Sequence, residues 1–334
     1  MDRKYLCRAL GLAVACVLLV GAGMASAAIN IETVPVGNVG NAADNTTGYG
    51  RVDYAYNIGK YEVTAGQYTG FLNAVGGVDT YALYNTFMSY VAGSGITRSG
   101  GGTLGNPYTY SVAADFVNRP VNYVSFWDSC RFANWLNNGQ KGGAQGAGTT
   151  ETGAYTLTST GMNNNTITRN PGWTWAVTSE DEWHKGASYK GGGTNAGYWM
   201  YPTSSNTAPG RDMADVSGNN ANIDGYPYPI DSGKYTTIAG EFQNSGSPYG
   251  TFDQSGNVWE WNEGVLFGSY RGLRGGSFAL SGDYLRADNR YGSYPADEGS
   301  YIGFRVSQVP EPTSLGILGL GVVGMLVRRR GAGR

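Results

Sequence analysis

The sequence predicts an α+β domain in which short strands and a few helices are separated by long ordered loops. Three observations lead there. Glycine, asparagine, serine, threonine and tyrosine dominate, with 54 glycines and 25 tyrosines among 334 residues, and such residues serve turns and loops better than long regular elements. Helix signals are few and far apart, beginning near Thr64, Asp128 and Ser179. The third observation is the stretch from Thr251 to Val306, where Gly, Trp, Arg and acidic residues crowd together. Within it Trp259 and Trp261 alternate with Glu260, the period of a strand that sends two rings to one face and a carboxylate to the other.

The ends read as targeting segments. Arg3, Lys4 and Arg8 precede an apolar run from Ala9 to Val20, and Ala25-Ser26-Ala27 offers small residues for cleavage. Residues 1–27 are therefore expected to be a secretory signal peptide. At the other end, Val309-Pro310-Glu311-Pro312 leads into an apolar run, Thr313 to Val327, and then Arg328-Arg329-Arg330. A helix over that run spans about 22 Å, short of a hydrocarbon core of roughly 30 Å. The order Pro-Glu-Pro, apolar stretch, arginine cluster resembles a PEP-CTERM sorting signal. For residues 309–334 that resemblance implies recognition by exosortase-type machinery, transient anchoring in the inner membrane through the apolar helix, and delivery to the envelope or an extracellular polymer matrix. Residues 28–308 remain as one domain.

Charge and cysteine content narrow the function classes. The chain holds 23 basic and 25 acidic residues; 1–27 takes three and one of these, 309–334 takes four and one, leaving 16 and 23, a net −7. Such a surface disfavours nucleic acid and anionic lipid and leaves carboxylates for cations. Cys7 and Cys16 leave with the signal peptide, so Cys130 stays alone and no intramolecular disulfide can form. About 280 residues must be held by packing, which is ample for one large core.

Along the chain, Ile29 to Asn57 reads as strand and loop. Thr64 with Gln67 has the spacing of a capping box; Tyr68, Phe71, Leu72 and Val75 follow at helical intervals, and Gly76-Gly77 ends the helix. The glycine-rich stretch Gly93–Gly105 lacks the Lys-Ser/Thr of a phosphate-binding loop and reads as a plain connector. After extended residues 120–125, a second amphipathic helix is expected over Asp128–Asn137, with Phe132, Trp135 and Leu136 inward and Cys130 as a small buried side chain. Residues 139–170 suggest a hairpin, Ala154–Leu157 against Thr166–Thr168. Trp175–Val177 reads as a strand, and Ser179 with Glu182 caps a third helix, so Glu180, Asp181 and Glu182 are read as cap acids rather than catalytic ones. His184 is the only histidine; it has no cysteine partners for a zinc site and no nucleophile elbow for a serine relay, and is read as structural.

Three ordered words, GNVWEW, RGGSF and GFRV, together with YEVTAGQYTGFLNAV and WAVTSEDEWHKGASYKGG, resemble the formylglycine-generating, or sulfatase-modifying factor, family. The resemblance runs from about Ile58 to Val306. It implies a C-type-lectin-like α+β fold whose long loops are tied by calcium. The ligands it implies are the Asp253 side chain, the Gly256 and Val258 carbonyls and the Glu260 side chain, a mix of oxygens that suits calcium. The alternative for Glu260 is an ion pair with an arginine such as Arg274. A second set is implied at Asn222 and Ile223, with Asp231 as the expected carboxylate.

In the active family, GGSF-type words are followed by two cysteines that bind copper(I) and the substrate thiol and convert a sulfatase cysteine into formylglycine. Those positions are Leu280 and Leu285 here. Copper(I) requires soft ligands such as thiolates, so neither copper nor the oxidase chemistry is expected. What remains is a groove for which Ser277, Arg286, Asp288, Asn289, Arg290, Tyr291 and Tyr294 are the candidate lining, suited to a polysaccharide or peptide. The leading expectation is a non-catalytic binding or structural module; the alternatives are an enzyme using non-thiol oxidation on the same fold, or a true formylglycine-generating enzyme.

Overall fold

Local capping decides where the helices begin. Thr64, Ser125 and Ser179 each accept from the backbone three residues on, and Gln67, Asp128 and Glu182 each reach back to the cap. These capping boxes start α1 (Ala65–Val75), α2 (Phe126–Asn137) and, after the short α3 (Ser159–Asn163), α4 (Glu180–Ser188). The second helix starts two residues before the expected Asp128, because Ser125 supplies the cap and Asp128 the returning carboxylate. The computed structural model describes residues 28–231 and 233–310; the expected signal peptide and all of the sorting tail beyond Pro310 lie outside the described residues.

Among the described residues, ten short strands complete the architecture: β1 (Thr33–Val36), β2 (Tyr56–Gly59), β3 (Ile96–Ser99), β4 (Thr109–Val112), β5 (Trp175–Val177), β6 (Trp259–Leu266), β7 (Tyr270–Arg274), β8 (Tyr291–Ser293), β9 (Ile302–Phe304) and β10 (Val306–Gln308). One sheet has the order β1-β2-β10-β5, all antiparallel, so strands from the two ends of the domain lie side by side. A second has the order β8-β7-β6-β9, with β6 and β9 parallel.

The core lies where α1 and α2 meet these sheets. Phe71, Phe132 and Trp135 pack ring on ring, and Phe132 meets Phe304 of β9 at 5.3 Å. Fully burying each such ring contributes about 1.5–3 kcal/mol. The alternation in β6 behaves as expected: Trp259 and Trp261 join this cluster, while Glu260 reaches Trp183 of α4. Cys130 is fully buried in the same cluster.

Two local expectations are corrected. Gly93–Gly105 is not a plain connector, because Ile96–Ser99 pairs with Thr109–Val112 and buries Ile96. The 154–168 hairpin does not form either. Thr158 caps α3 inside it, and only a single bridge, Tyr155 to Arg169, joins its ends.

Candidate functional site

The turn before β6 carries the first group of candidates. Asp253 and Asn257 adopt positive φ of 62° and 61°, a conformation that Asp and Asn tolerate better than most residues. Gly256 has φ 81°, and a Cβ there would lie 2.2 Å from the Asn222 carbonyl, so only glycine fits. The turn is held from outside: Asn257 N–H donates to the Asn222 carbonyl at 2.9 Å, and Gly256 N–H to the Gly275 carbonyl at 2.8 Å. The Gly256 and Val258 carbonyls are buried yet accept no hydrogen bond from any described group. Buried carbonyls without partners are uncommon, and here they flank a carboxylate.

That carboxylate, Asp253, accepts from Gly240 N–H at 2.5 Å. Burial pushes its pKa up to about 6, and the neighbouring Glu260 adds to the shift against the pull of Arg305. Glu260 does not pair with Arg274. Its carboxylate takes Trp183 Nε1 at 2.7 Å and Arg305 Nε and Nη2 at 2.9 and 2.8 Å. Arg274 instead grips Glu180 at 2.8 and 3.0 Å and donates to the Ala287 and Asn289 carbonyls. The helix-cap acid Glu180 is thus the anchor of the RGGSF strand. The β6–β7 register sets Arg274 directly opposite Glu260, yet Arg274 turns to Glu180 at the start of α4 and leaves Glu260 to Arg305.

The second expected set lies around Asn222. The Asn222 amide donates to the Tyr235 carbonyl at 2.9 Å and to Asn257 Oδ1 at 3.2 Å. The Ile223 carbonyl accepts from Arg211 at 2.8 Å, and Asp231 is ion-paired with Arg119. Each of the three already has a protein partner.

The groove candidates do not line one surface. Ser277 is fully buried. Arg286 and Asp288 form a half-exposed bidentate pair at 2.8 and 2.7 Å on the wall of a cleft of about 400 Å³, shared with Asp44, Tyr198 and Trp199. Asn289 offers its carbonyl to Arg274. Arg290 pairs with Glu180 and lies over the Tyr49 ring at 5.0 Å. Tyr291 stacks on Trp259. Tyr294 faces a different cleft of about 750 Å³, with Trp127, Asp128, Arg131 and Glu298.

Leu285 is fully buried against Tyr201, Ala221 and Ile223, and Leu280 is half-buried against the main core. Cys130 lies in α2 with its thiol pKa pushed well up by burial. Among the described residues no cluster of three or more His, Cys, Asp or Glu side chains is arranged to hold a metal.

The profile of the family described as sulfatase-modifying factor enzyme 1-like domain matches residues 30–309. The chain belongs to the sulfatase-modifying factor family. A PEP-CTERM protein-sorting motif matches residues 308–330, which marks an exported substrate of exosortase-type processing. Among solved structures, Treponema denticola variable protein 1 is similar at 19% identity with a TM-score of 0.50, over 84% of this chain and 96% of that one. CarF (19% identity, TM-score 0.48, 84% and 99% covered) and PvdO from Pseudomonas aeruginosa (18%, 0.44, 84% and 92%) also match. No curated protein matches. At such identities the first of these likenesses supports the fold alone.

Several residues of this sulfatase-modifying factor domain have partners that the sequence does not name. Arg305 is fully buried and, besides its bidentate grip on Glu260, donates to the Gly59 and Phe252 carbonyls. His184 is buried with Nε2 3.1 Å from Asp44 Oδ2, its pKa lowered by burial. Glu62 looks like a mere lead-in to α1, but it is 1% exposed, and neither carboxylate oxygen has a hydrogen-bond partner. Its signal is a single acid between Tyr61 and Val63, just after β2 ends at Gly59.

Proposed function

We propose that the folded part of this sulfatase-modifying factor protein is a binding or structural module, tied by calcium and without thiol–copper chemistry. The observation that carries the reading is Leu285, sealed in an apolar cluster with no exposed surface at the position where the family resemblance expects a cysteine. Leucine offers no soft donor for copper(I) and no thiol for exchange. Cys130 cannot substitute, since it is a lone thiol closed inside α2.

The oxygen half of the site supports calcium. Asp253, the unpartnered Gly256 and Val258 carbonyls, and the remaining lone pairs of Glu260 form the hard, mixed donor set calcium prefers. A bound calcium would supply positive charge and lock the turn; Asp253 and the two carbonyls would orient it, while Trp183 and Arg305 hold Glu260 in place. The ligand surface best suited to an extended polymer is the cleft beside Arg286 and Asp288, where Trp199 and Tyr198 stand next to a polar pair. Aromatic faces beside hydrogen-bonding groups suit a polysaccharide or a peptide. With residues 1–27 as signal peptide and the tail as a transient inner-membrane anchor, the module would act at the envelope or in an extracellular polymer matrix.

The test is a copper(I) titration with an oxygen-consumption assay on a cysteine-containing peptide, using the full chain and a Leu280→Cys/Leu285→Cys variant. Tight copper(I) binding in the double variant alone supports the reading. Tight binding or turnover by the unaltered chain overturns it.

A further inference from the structure

The cleft of about 750 Å³ opens at the turn that joins β6 to β7, whereas Leu280 and Leu285 follow the other end of β7. Its floor is the start of α2, and the loop after β8 forms one wall. That loop is fixed. Phe126 N–H donates to the Pro295 carbonyl and Tyr123 N–H to the Gly299 carbonyl, both at 3.0 Å. Tyr294 packs on the Tyr270 ring at 4.6 Å and still leaves 54% of its surface exposed.

Two acids line this cleft with an oxygen to spare. Asp128 is 3% exposed. Its Oδ2 accepts from Ser125 N–H and Oγ–H at 3.0 and 2.6 Å, but Oδ1 accepts no hydrogen bond from any described group. Arg131 leaves its Nη1 3.5 Å away, because its Nε is bound to Glu151 at 2.7 Å and its guanidinium lies over the Tyr81 ring at 4.5 Å. Glu298 accepts from the Asn85 amide through Oε2, while its Oε1 has no partner among the described residues. Two half-used carboxylates repel an anion and favour a donor that carries positive charge. A metal ion of the hard kind wants six or more oxygens, more than this pair supplies; an ammonium group needs only two or three acceptors.

The rest of the lining indicates what carries the ammonium. Asn163 and Asn164, both exposed after α3, and Ser269 present amide and hydroxyl groups beside the Tyr294 ring. Sugar hydroxyls bond to such groups, and the C–H face of a sugar packs on such a ring. The pKa of Glu298, pushed up to about 7 by burial and by Asp128, fits the same ligand. An amino sugar, whose amine also titrates near neutrality, can share that proton, whereas a lysine ammonium would have to expel it.

We infer that this cleft binds an amino-sugar unit of a polysaccharide, with the ammonium donating to Asp128 Oδ1 and Glu298 Oε1 and the ring packing on Tyr294. The site uses none of the oxygens assigned to calcium and is separate from the cleft beside Arg286, so it stands apart from both of those readings.

Calorimetric titration of the full chain at pH 6.5 with a glucosamine pentamer, its fully N-acetylated counterpart and pentalysine tests it. The glucosamine pentamer is expected to bind at least about tenfold more tightly than either of the others, the loss expected when a hydrogen bond to a charged group is removed. Glu298→Gln, which keeps an acceptor for Asn85, should weaken it by a similar factor, and Tyr294→Ala should weaken it without altering the fold at an exposed position. Asp224→Asn, which removes an exposed acid outside the cleft, should leave it unchanged. Equal binding of the N-acetylated pentamer, tighter binding of pentalysine, no binding of the glucosamine pentamer, or equal losses in Glu298→Gln and Asp224→Asn would each overturn the assignment.

Discussion

The turn from Asp253 to Glu260 and the segment from Leu280 to Leu285 precede and follow the same strand pair along the chain, and they have opposite chemistry. The first concentrates oxygen: Asp253, two unpartnered carbonyls and Glu260. The second is hydrocarbon, with Leu285 closed among Tyr201, Ala221 and Ile223. On the function proposed above, the hard donors that serve structure are kept here without the soft donors that serve reaction. The difference teaches that the scaffold and the chemistry of this fold are separable, because they rest on different side chains held by different contacts.

The largest effect should come from breaking the oxygen side. Arg305→Met strands Glu260 in a fully buried position, and removing one partner of such a pair costs about 3–5 kcal/mol; chemical denaturation measures it. On the apolar side, Leu285→Ala should cost about 2–5 kcal/mol, and Leu280→Ala clearly less, since Leu280 is only half-buried. Equal losses would mean that the segment is not packed as described. Stripping calcium should lower stability by about 2.7 kcal/mol relative to calcium at a hundredfold excess over its dissociation constant, read as a chelator-dependent drop in melting temperature.

A smaller, pH-dependent effect belongs to neither region and serves as a control on both. Glu298, at the rim of the larger cleft, has its pKa pushed up to about 7 by burial and by Asp128, against a hydrogen bond from Asn85. Since the folded state holds this proton more tightly than the unfolded one, stability should fall as pH rises from about 4.5 to about 7. Glu298→Gln should flatten that slope in melting curves across the window. An unchanged slope would assign the titration elsewhere.

Much of the scaffold is legible in the sequence because its signals are local. Thr64 with Gln67, and Ser179 with Glu182, announce their helices within four residues, and both capping boxes are present. The strand Ile96–Ser99 is hidden by the glycines around it, since its pairing with Thr109–Val112 is tertiary. The hairpin expected at 154–168 fails for a local reason, because Thr158 is a helix cap. At the site, motifs name Asp253 and Glu260 but not their partners. Glu260 meets Arg305 although the β6–β7 register sets Arg274 directly opposite it, because Arg274 turns to Glu180 of α4, and no spacing along the chain encodes that. Glu62 is invisible for the same reason, as the charges that act on it arrive from the far end of the domain.

The most direct test of the account is the metal content of the purified chain by elemental mass spectrometry after equilibration with calcium and trace copper. The account predicts about one calcium per chain at the Asp253 turn, no stoichiometric copper, and a melting temperature that falls when the calcium is removed. Stoichiometric copper, or a chain that holds no calcium and melts identically with and without chelator, would contradict it.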